Sequence, residues 1–130
     1  MFALIFGLSF LANAQDVQTN QPKGYQFTDI KRLPATSVKD QARAGTCWSW
    51  SGISFFESEM IRTGKEPIDL SAMYIVRHAY SDKATKFVRL HGNMNFAVGG
   101  AFCDVMHVIK NYGIVPMDVY MGLNYGEPNH

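Results

Sequence analysis

At 130 residues the chain is long enough for one domain with a modest core. A hydrophobic content of 47% with nine phenylalanines excludes a disordered chain. The net charge of +1 gives no field that would draw in nucleic acid or an anionic membrane surface, and no partner of either kind is expected.

The first element is an apolar run from Phe2 to Leu11, followed by Ala12-Asn13-Ala14 and then Gln15. It reads as the apolar region of an export signal with a small-residue cleavage site, too short to span a bilayer. The competing reading is a buried N-terminal helix, against which the polar stretch Gln15 to Gln26 offers nothing to pack on. No Lys or Arg precedes the run, and no cysteine follows it to carry a lipid anchor. The expectation is a signal over residues 1–14, an exported mature chain, and no membrane association once the signal is removed. Residues 15–35 are polar and contain Pro22, Gly24 and Pro34, the composition of a linker or extended lead-in. Residues 36–130 hold the folded part.

That part opens with the most informative stretch, Gln41-Ala42-Arg43-Ala44-Gly45-Thr46-Cys47-Trp48-Ser49-Trp50. It sets a cysteine at the entrance of an apolar helix, six residues after a glutamine. A thiol attacks as thiolate, and a helix N-terminus favours that form through its partial positive charge and free N–H groups. The same N–H groups can hold the oxyanion of an attacked carbonyl, with the Gln41 amide as a second donor. Gly45 permits the tight turn into the helix. Taken alone, Cys47 reads sooner as a buried structural cysteine, and Gln41 as a polar loop residue. Trp48 and Trp50 read as core aromatics that pack the helix start.

The spacing predicts a first helix from about Cys47 to Arg62, with Ile53, Phe56 and Met60 on one face and Gly64 as its stop. Glu57 falls near that face, either as a buried, paired carboxylate or as an exposed helix residue. A second helix follows Ser71, a good N-cap, with Met73, Val76 and Tyr80 inward and Ile75 beside them. Phe87-Val88-Arg89-Leu90 alternates weakly and reads as a short strand or an extended loop. A third helix spans about Ala101 to Tyr112, with Phe102, Val105, Ile109 and Tyr112 in register and Gly113 and Pro116 ending it. Cys103 reads as a small buried hydrophobe on that helix.

Two blocks carry a family resemblance. Thr36-Ser37-Val38-Lys39-Asp40-Gln41, then Gly45-Thr46-Cys47-Trp48, resembles the T-x-V-x-x-Q…G-S-C-W segment of papain-like cysteine peptidases. Gly99-Gly100, eleven residues, and then Tyr112-Gly113-Ile114-Val115-Pro116 resembles that family's cleft glycines and its following Y-G-[IV]. Ala44 stands where the first cysteine of C-G-S-C-W would be, and Thr46 where Ser or Ala is usual. The missing cysteine and the Y-G-[IV]-V-P form narrow the resemblance to the bleomycin hydrolase or aminopeptidase C branch, over roughly residues 28 to 126.

The resemblance implies an α+β papain-like fold, of which this chain is mainly the helical N-terminal half with the β-rich half absent. It implies Cys47 as nucleophile, Gln41 as oxyanion donor, and Gly99 and Gly100 at the substrate cleft, where the second glycine's backbone pairs with a peptide substrate. No metal or organic cofactor is implied. Members of the branch are often hexameric and trim amino acids from peptide N-termini, so a homo-oligomer is implied as well. The complete reaction would run from thiolate attack through a thioester to hydrolysis, with a histidine moving the protons.

None of the four histidines matches that base. His78 and His107 fall in helices, His91 in a loop, and His130 is the last residue. In papain-like chains the histidine and its asparagine lie about 130–150 residues beyond the cysteine, whereas this chain ends 83 residues after Cys47. The expectation is a fragment without its catalytic base and therefore inactive alone. Two rival readings stand beside it. One is a non-catalytic truncated product or pseudoenzyme that binds peptides along Gly100. The other is a small metal-binding domain built on Cys103 and the histidines, with Cys103 and His107 four apart on one helical face, though those two ligands are few for such a site.

Overall fold

The computed structural model describes residues 24–25, 27–123 and 126. The signal expected over 1–14, most of the 15–35 lead-in and His130 lie outside the described residues. The chain divides into two units, Met1–Ile30 and Lys31–His130. Of the first, residues 24–25 and 27–30 are described; Tyr25 and Phe27 are exposed, their rings tilted with centroids 6.4 Å apart.

The second unit is built on three helices, α1 (Cys47–Arg62), α2 (Ala72–Arg89) and α3 (Phe102–Tyr112), each packed against the other two. Each boundary has a local cause. Thr63 and Gly64 close α1: Gly64, with φ +81°, donates to the Ile61 carbonyl while Lys65 N donates to Met60 O. A left-handed residue makes this closure possible, and glycine reaches that region without a Cβ penalty. Ser71 caps α2 by accepting a hydrogen bond from Tyr74 N at 3.0 Å. Asp104 in the first turn of α3 accepts from Ala101 N at 2.8 Å.

Ile53, Ile75, Val76, Ala79, Val105 and Val108 form the inner faces, with Trp48 and Leu70 completing the core. α1 and α3 cross at Gly52, where a Cβ would come within 2.8 Å of Val105 Cγ2. Ser49, fully buried, donates to Ala72 O at 2.8 Å and ties the first turn of α1 to the start of α2. An isolated antiparallel bridge joins Leu70 to Pro116, flanked by Ser71 N to Val115 O and Met117 N to Asp69 O, both 2.9 Å. No strand forms among the described residues. Three packed helices without a strand are what the resemblance implies for the helical N-terminal half of an α+β fold.

Two sequence expectations are corrected here. Phe87-Val88-Arg89-Leu90 is neither strand nor loop, because α2 runs through Arg89 and Leu90 caps it. His91 enters the left-handed region at φ 53° and donates to Val88 O, while Gly92 N reaches back to Phe87 O. With Lys, Ala and Arg at positions 83–89, local propensity favoured continuing the helix. Cys103 is also not buried. α3 turns Val105 and Val108 inward, which leaves Phe102, Cys103 and Met106 facing outward. Glu57 resolves to the first of its two readings, a buried and paired carboxylate.

No helix among the described residues is long and apolar enough to cross a membrane.

Candidate active site

Cys47 is the first residue of α1 and is exposed. The preceding Thr46 occupies the N-cap, but its hydroxyl accepts from the Trp50 indole N–H at 3.0 Å and makes no cap bond. Its carbonyl accepts from Ser49 N and Trp50 N. The first turn of α1 therefore carries neither a capping side chain nor an acidic residue. Positive partial charge and N–H groups stay available at the mouth where the sulfur stands.

Gln41 sits in the turn that leads to this mouth. Asp40 Oδ1 accepts from Ala42 N at 2.7 Å and supports Ala42 at φ 51°, while Ala44 N donates to Gln41 O at 3.3 Å. Gln41 Nε2 donates one hydrogen to Ala44 O at 2.9 Å, which fixes the amide and leaves its second hydrogen to offer.

The lead-in is pinned just upstream. Lys39 Nζ lies 2.6 and 2.8 Å from the two Glu57 oxygens and 2.8 Å from Asp69 Oδ1. Thr36 Oγ1 also donates to Glu57, as does Leu70 N at 2.7 Å. A carboxylate this deeply buried is tolerated because its oxygens are so fully engaged. Burial opposes the Lys39 charge, yet the hydrogen bonds to Asp69 and Glu57, with their negative charges, raise its pKa above the ordinary 10.5.

The Gly99-Gly100 pair is delivered to the same mouth. Val98 packs on Gly45, where a Cβ would lie 3.4 Å from Val98 Cβ. A Cβ on Gly100 would fall 2.6 Å from Trp48 Cδ2 and Cε2, so only glycine lets this backbone lie on the ring beside Cys47. Gly99 takes φ +108°, and both its backbone groups are held by α2: its N–H donates to Tyr80 Oη at 3.1 Å and its carbonyl accepts from Lys83 Nζ at 2.6 Å. A hollow of about 170 Å³, lined by Tyr80, Phe96, Ala97 and Val98, adjoins this segment. A wider hollow of about 610 Å³ lies between Pro67–Asp69 and Pro116–Met121, and its lining includes none of Gln41, Cys47, Gly99 or Gly100.

A family model described as papain family cysteine protease matches residues 21–125. The chain belongs to the papain family of cysteine proteases. No individually curated protein matches it.

This papain-family chain thus brings together three of the four residues singled out from sequence. Cys47 and the Gly99-Gly100 pair meet through Trp48, and Gln41 sits one turn upstream of the same helix mouth. The three described histidines are placed elsewhere. His78 lies between Tyr74 and Tyr112, ring centroids 4.5 and 4.3 Å away. His107 Nε2 contacts Asp82 Oδ2 at 3.0 Å and its Nδ1 lies 3.2 Å from the Asn111 amide. Asp82 is held below the ordinary carboxylate value, first by the hydrogen bond from Tyr112 and also by His107 and Lys86, against the effect of burial. His107 is therefore engaged with Asp82 and not with Cys103, and no group of three or more metal-ligating side chains assembles among the described residues. His91 follows α2, roughly two helical turns beyond the Lys83 that reaches Trp48.

Sequence reasoning missed Tyr80 and Lys83 as neighbours of the glycines. Tyr80 reads as one more apolar-face residue, and Lys83 is not singled out at all. The only available signal is their separation of three, which places them on one face of α2.

Proposed function

We propose that Cys47 is the nucleophile of an exported cysteine peptidase of the bleomycin hydrolase or aminopeptidase C branch, acting on peptides. The observation that carries this reading is the exposed thiol at an uncapped helix mouth, with a glycine backbone laid against the adjacent tryptophan. In the proposed reaction the Cys47 thiolate adds to the peptide carbonyl. First-turn N–H groups of α1 and the second Gln41 N–H steady the oxyanion. Gly100 pairs with the substrate backbone in the manner of an added strand. Collapse of the adduct expels the amine, and water then releases the acyl group from sulfur. The leaving amine takes its proton from the conjugate acid of a base held near Cys47, which gained that proton from the thiol. His78 and His107 are engaged elsewhere, so the base is proposed to come from outside the described residues.

The branch assignment rests on Tyr112-Gly113-Ile114-Val115-Pro116 and on Ala44 in place of a cysteine. Export rests on the apolar run before Gln15, and self-association on the resemblance alone.

The test compares hydrolysis of aminoacyl fluorogenic substrates at neutral pH under reducing conditions. The 130-residue chain should show no turnover. The same chain fused to a β-rich papain-family half carrying the histidine and asparagine should hydrolyse them, and Cys47→Ser should abolish that activity. General acid–base transfer contributes typically ~10²–10⁴-fold. Equal rates for the short and fused chains would show that a histidine within the 130 residues is the base. A non-catalytic peptide-binding protein would bind substrate in both forms and cleave in neither.

A further inference from the structure

We propose that Tyr80 and Lys83 are positioning residues that lock the Gly99 peptide so that Gly100 presents its backbone to a substrate. The proposal rests on the reading of Cys47 as nucleophile. Gly99 sits at φ +108°, a region an L-residue rarely adopts, so its two flanking peptide planes need outside support to stay in one orientation. α2 supplies it on both sides, with Tyr80 Oη accepting from the Gly99 N–H and Lys83 Nζ donating to its carbonyl.

Lys83 is placed for this task and for no visible other. Among the described residues it forms no ion pair with a carboxylate. Its ammonium lies 5.7 Å from the Trp48 ring and 5.3 Å from the Tyr80 ring, and its hydrogen bond goes to the Gly99 carbonyl. A charge-assisted bond is stronger than a neutral one and ties that carbonyl to α2, while the two rings flank the ammonium that makes it. Trp48 is the common wall. It carries Lys83 near its ring, takes the Gly100 backbone in close approach, and follows Cys47 in the chain. The distance from nucleophile to substrate rail is thereby set through one rigid side chain. Gly100 itself is exposed, and its N–H and C=O have no hydrogen-bond partner among the described residues. Backbone groups left in that state are what an extended peptide pairs with.

The experiment measures two alkylation rates of Cys47 in the 130-residue chain, followed by peptide mass mapping, which separates it from the exposed Cys103. One reagent is a dipeptidyl chloromethyl ketone with a free amino terminus, and the other is chloroacetamide. In both, sulfur displaces chloride, so their ratio cancels thiol reactivity and isolates recognition of the peptide. Lys83→Met should lower the ratio about tenfold and Tyr80→Phe about fivefold, as expected for losing a charged and a neutral hydrogen bond. Lys83→Arg should restore most of the ratio, and Lys86→Met, on the same helix, should leave it at the wild-type value. Far-UV circular dichroism checks that each variant keeps its helices, and Tyr80→Phe preserves the test if Lys83→Met unfolds. A wild-type ratio retained by Lys83→Met or, where that variant is unfolded, by Tyr80→Phe overturns the proposal while leaving Cys47 as the nucleophile. A wild-type chain that shows no preference for the peptidyl reagent overturns the underlying reading of the site.

Discussion

Side chains at the helix mouth show how much of the site a linear sequence reveals. The place of Cys47 at a helix start was legible because it depends on local features: a glycine turn and a helical period that begins there. Cys103 was misread because burial on α3 is decided by where α1 and α2 pack. Those neighbours select Val105 and Val108, a choice that helical spacing alone leaves open. Gly100 was singled out by resemblance alone, and its contact with Trp48 is a tertiary fact. That contact makes a prediction. Gly100→Ala would push a methyl to 2.6 Å from the indole, and overpacking of this kind costs typically about 1–3 kcal/mol. The variant should melt lower in thermal unfolding and lose reactivity toward the dipeptidyl chloromethyl ketone more than toward chloroacetamide. Wild-type values on both measures would show that the glycine is not needed for close approach.

Among the elements, the helices were legible from period and stop signals, while the end of α2 was not. The alternation in Phe87-Val88-Arg89-Leu90 resembles a strand only if a partner strand exists, and none pairs with it. His91 and Gly92 end the helix instead through two backbone hydrogen bonds to Val88 and Phe87. The α1–α3 crossing depends on Gly52. Gly52→Ala would set a methyl 2.8 Å from a fully buried Val105 and should cost about 1–3 kcal/mol in chemical denaturation, despite alanine's better helix propensity. A stabilised variant would show that the crossing has room to spare.

The lead-in depends on Lys39. Lys39→Met leaves Glu57 buried without its cation and should lower stability by about 3 kcal/mol. Because the folded Lys39 pKa is raised, its contribution is complete below the ordinary 10.5 and lost as pH rises through the raised value. The wild-type advantage over Lys39→Met in unfolding free energy should therefore hold through neutral pH and shrink above 10.5. An advantage unchanged at that alkaline end would assign the loss to packing of the lysine stem.

For the whole molecule, the family and the helical half were legible because two separated motifs had to converge, and the fold does bring Gly45 against Val98 and Trp48 against Gly100. What the sequence could not supply was the network around them, since Lys83, Tyr80, Lys39 and Glu57 acquire partners only when distant segments meet. The proposed export is checked by N-terminal sequencing of the mature product, which should start at Gln15 or be blocked there by cyclised glutamine. A mature chain retaining Met1 would contradict it.

The central claim is that Cys47 is the thiol built for attack on a peptide. Burial cannot be the reason, since both cysteines are exposed. The helix mouths differ instead: the first turn of α1 has no acidic residue and no side-chain cap, whereas Asp104 fills the first turn of α3 beside Cys103. The most direct measurement treats the folded chain with a limiting amount of the dipeptidyl chloromethyl ketone and maps the adduct by peptide mass spectrometry. The account predicts one adduct, on Cys47, suppressed by excess peptide. Equal or preferential labelling of Cys103 would contradict it.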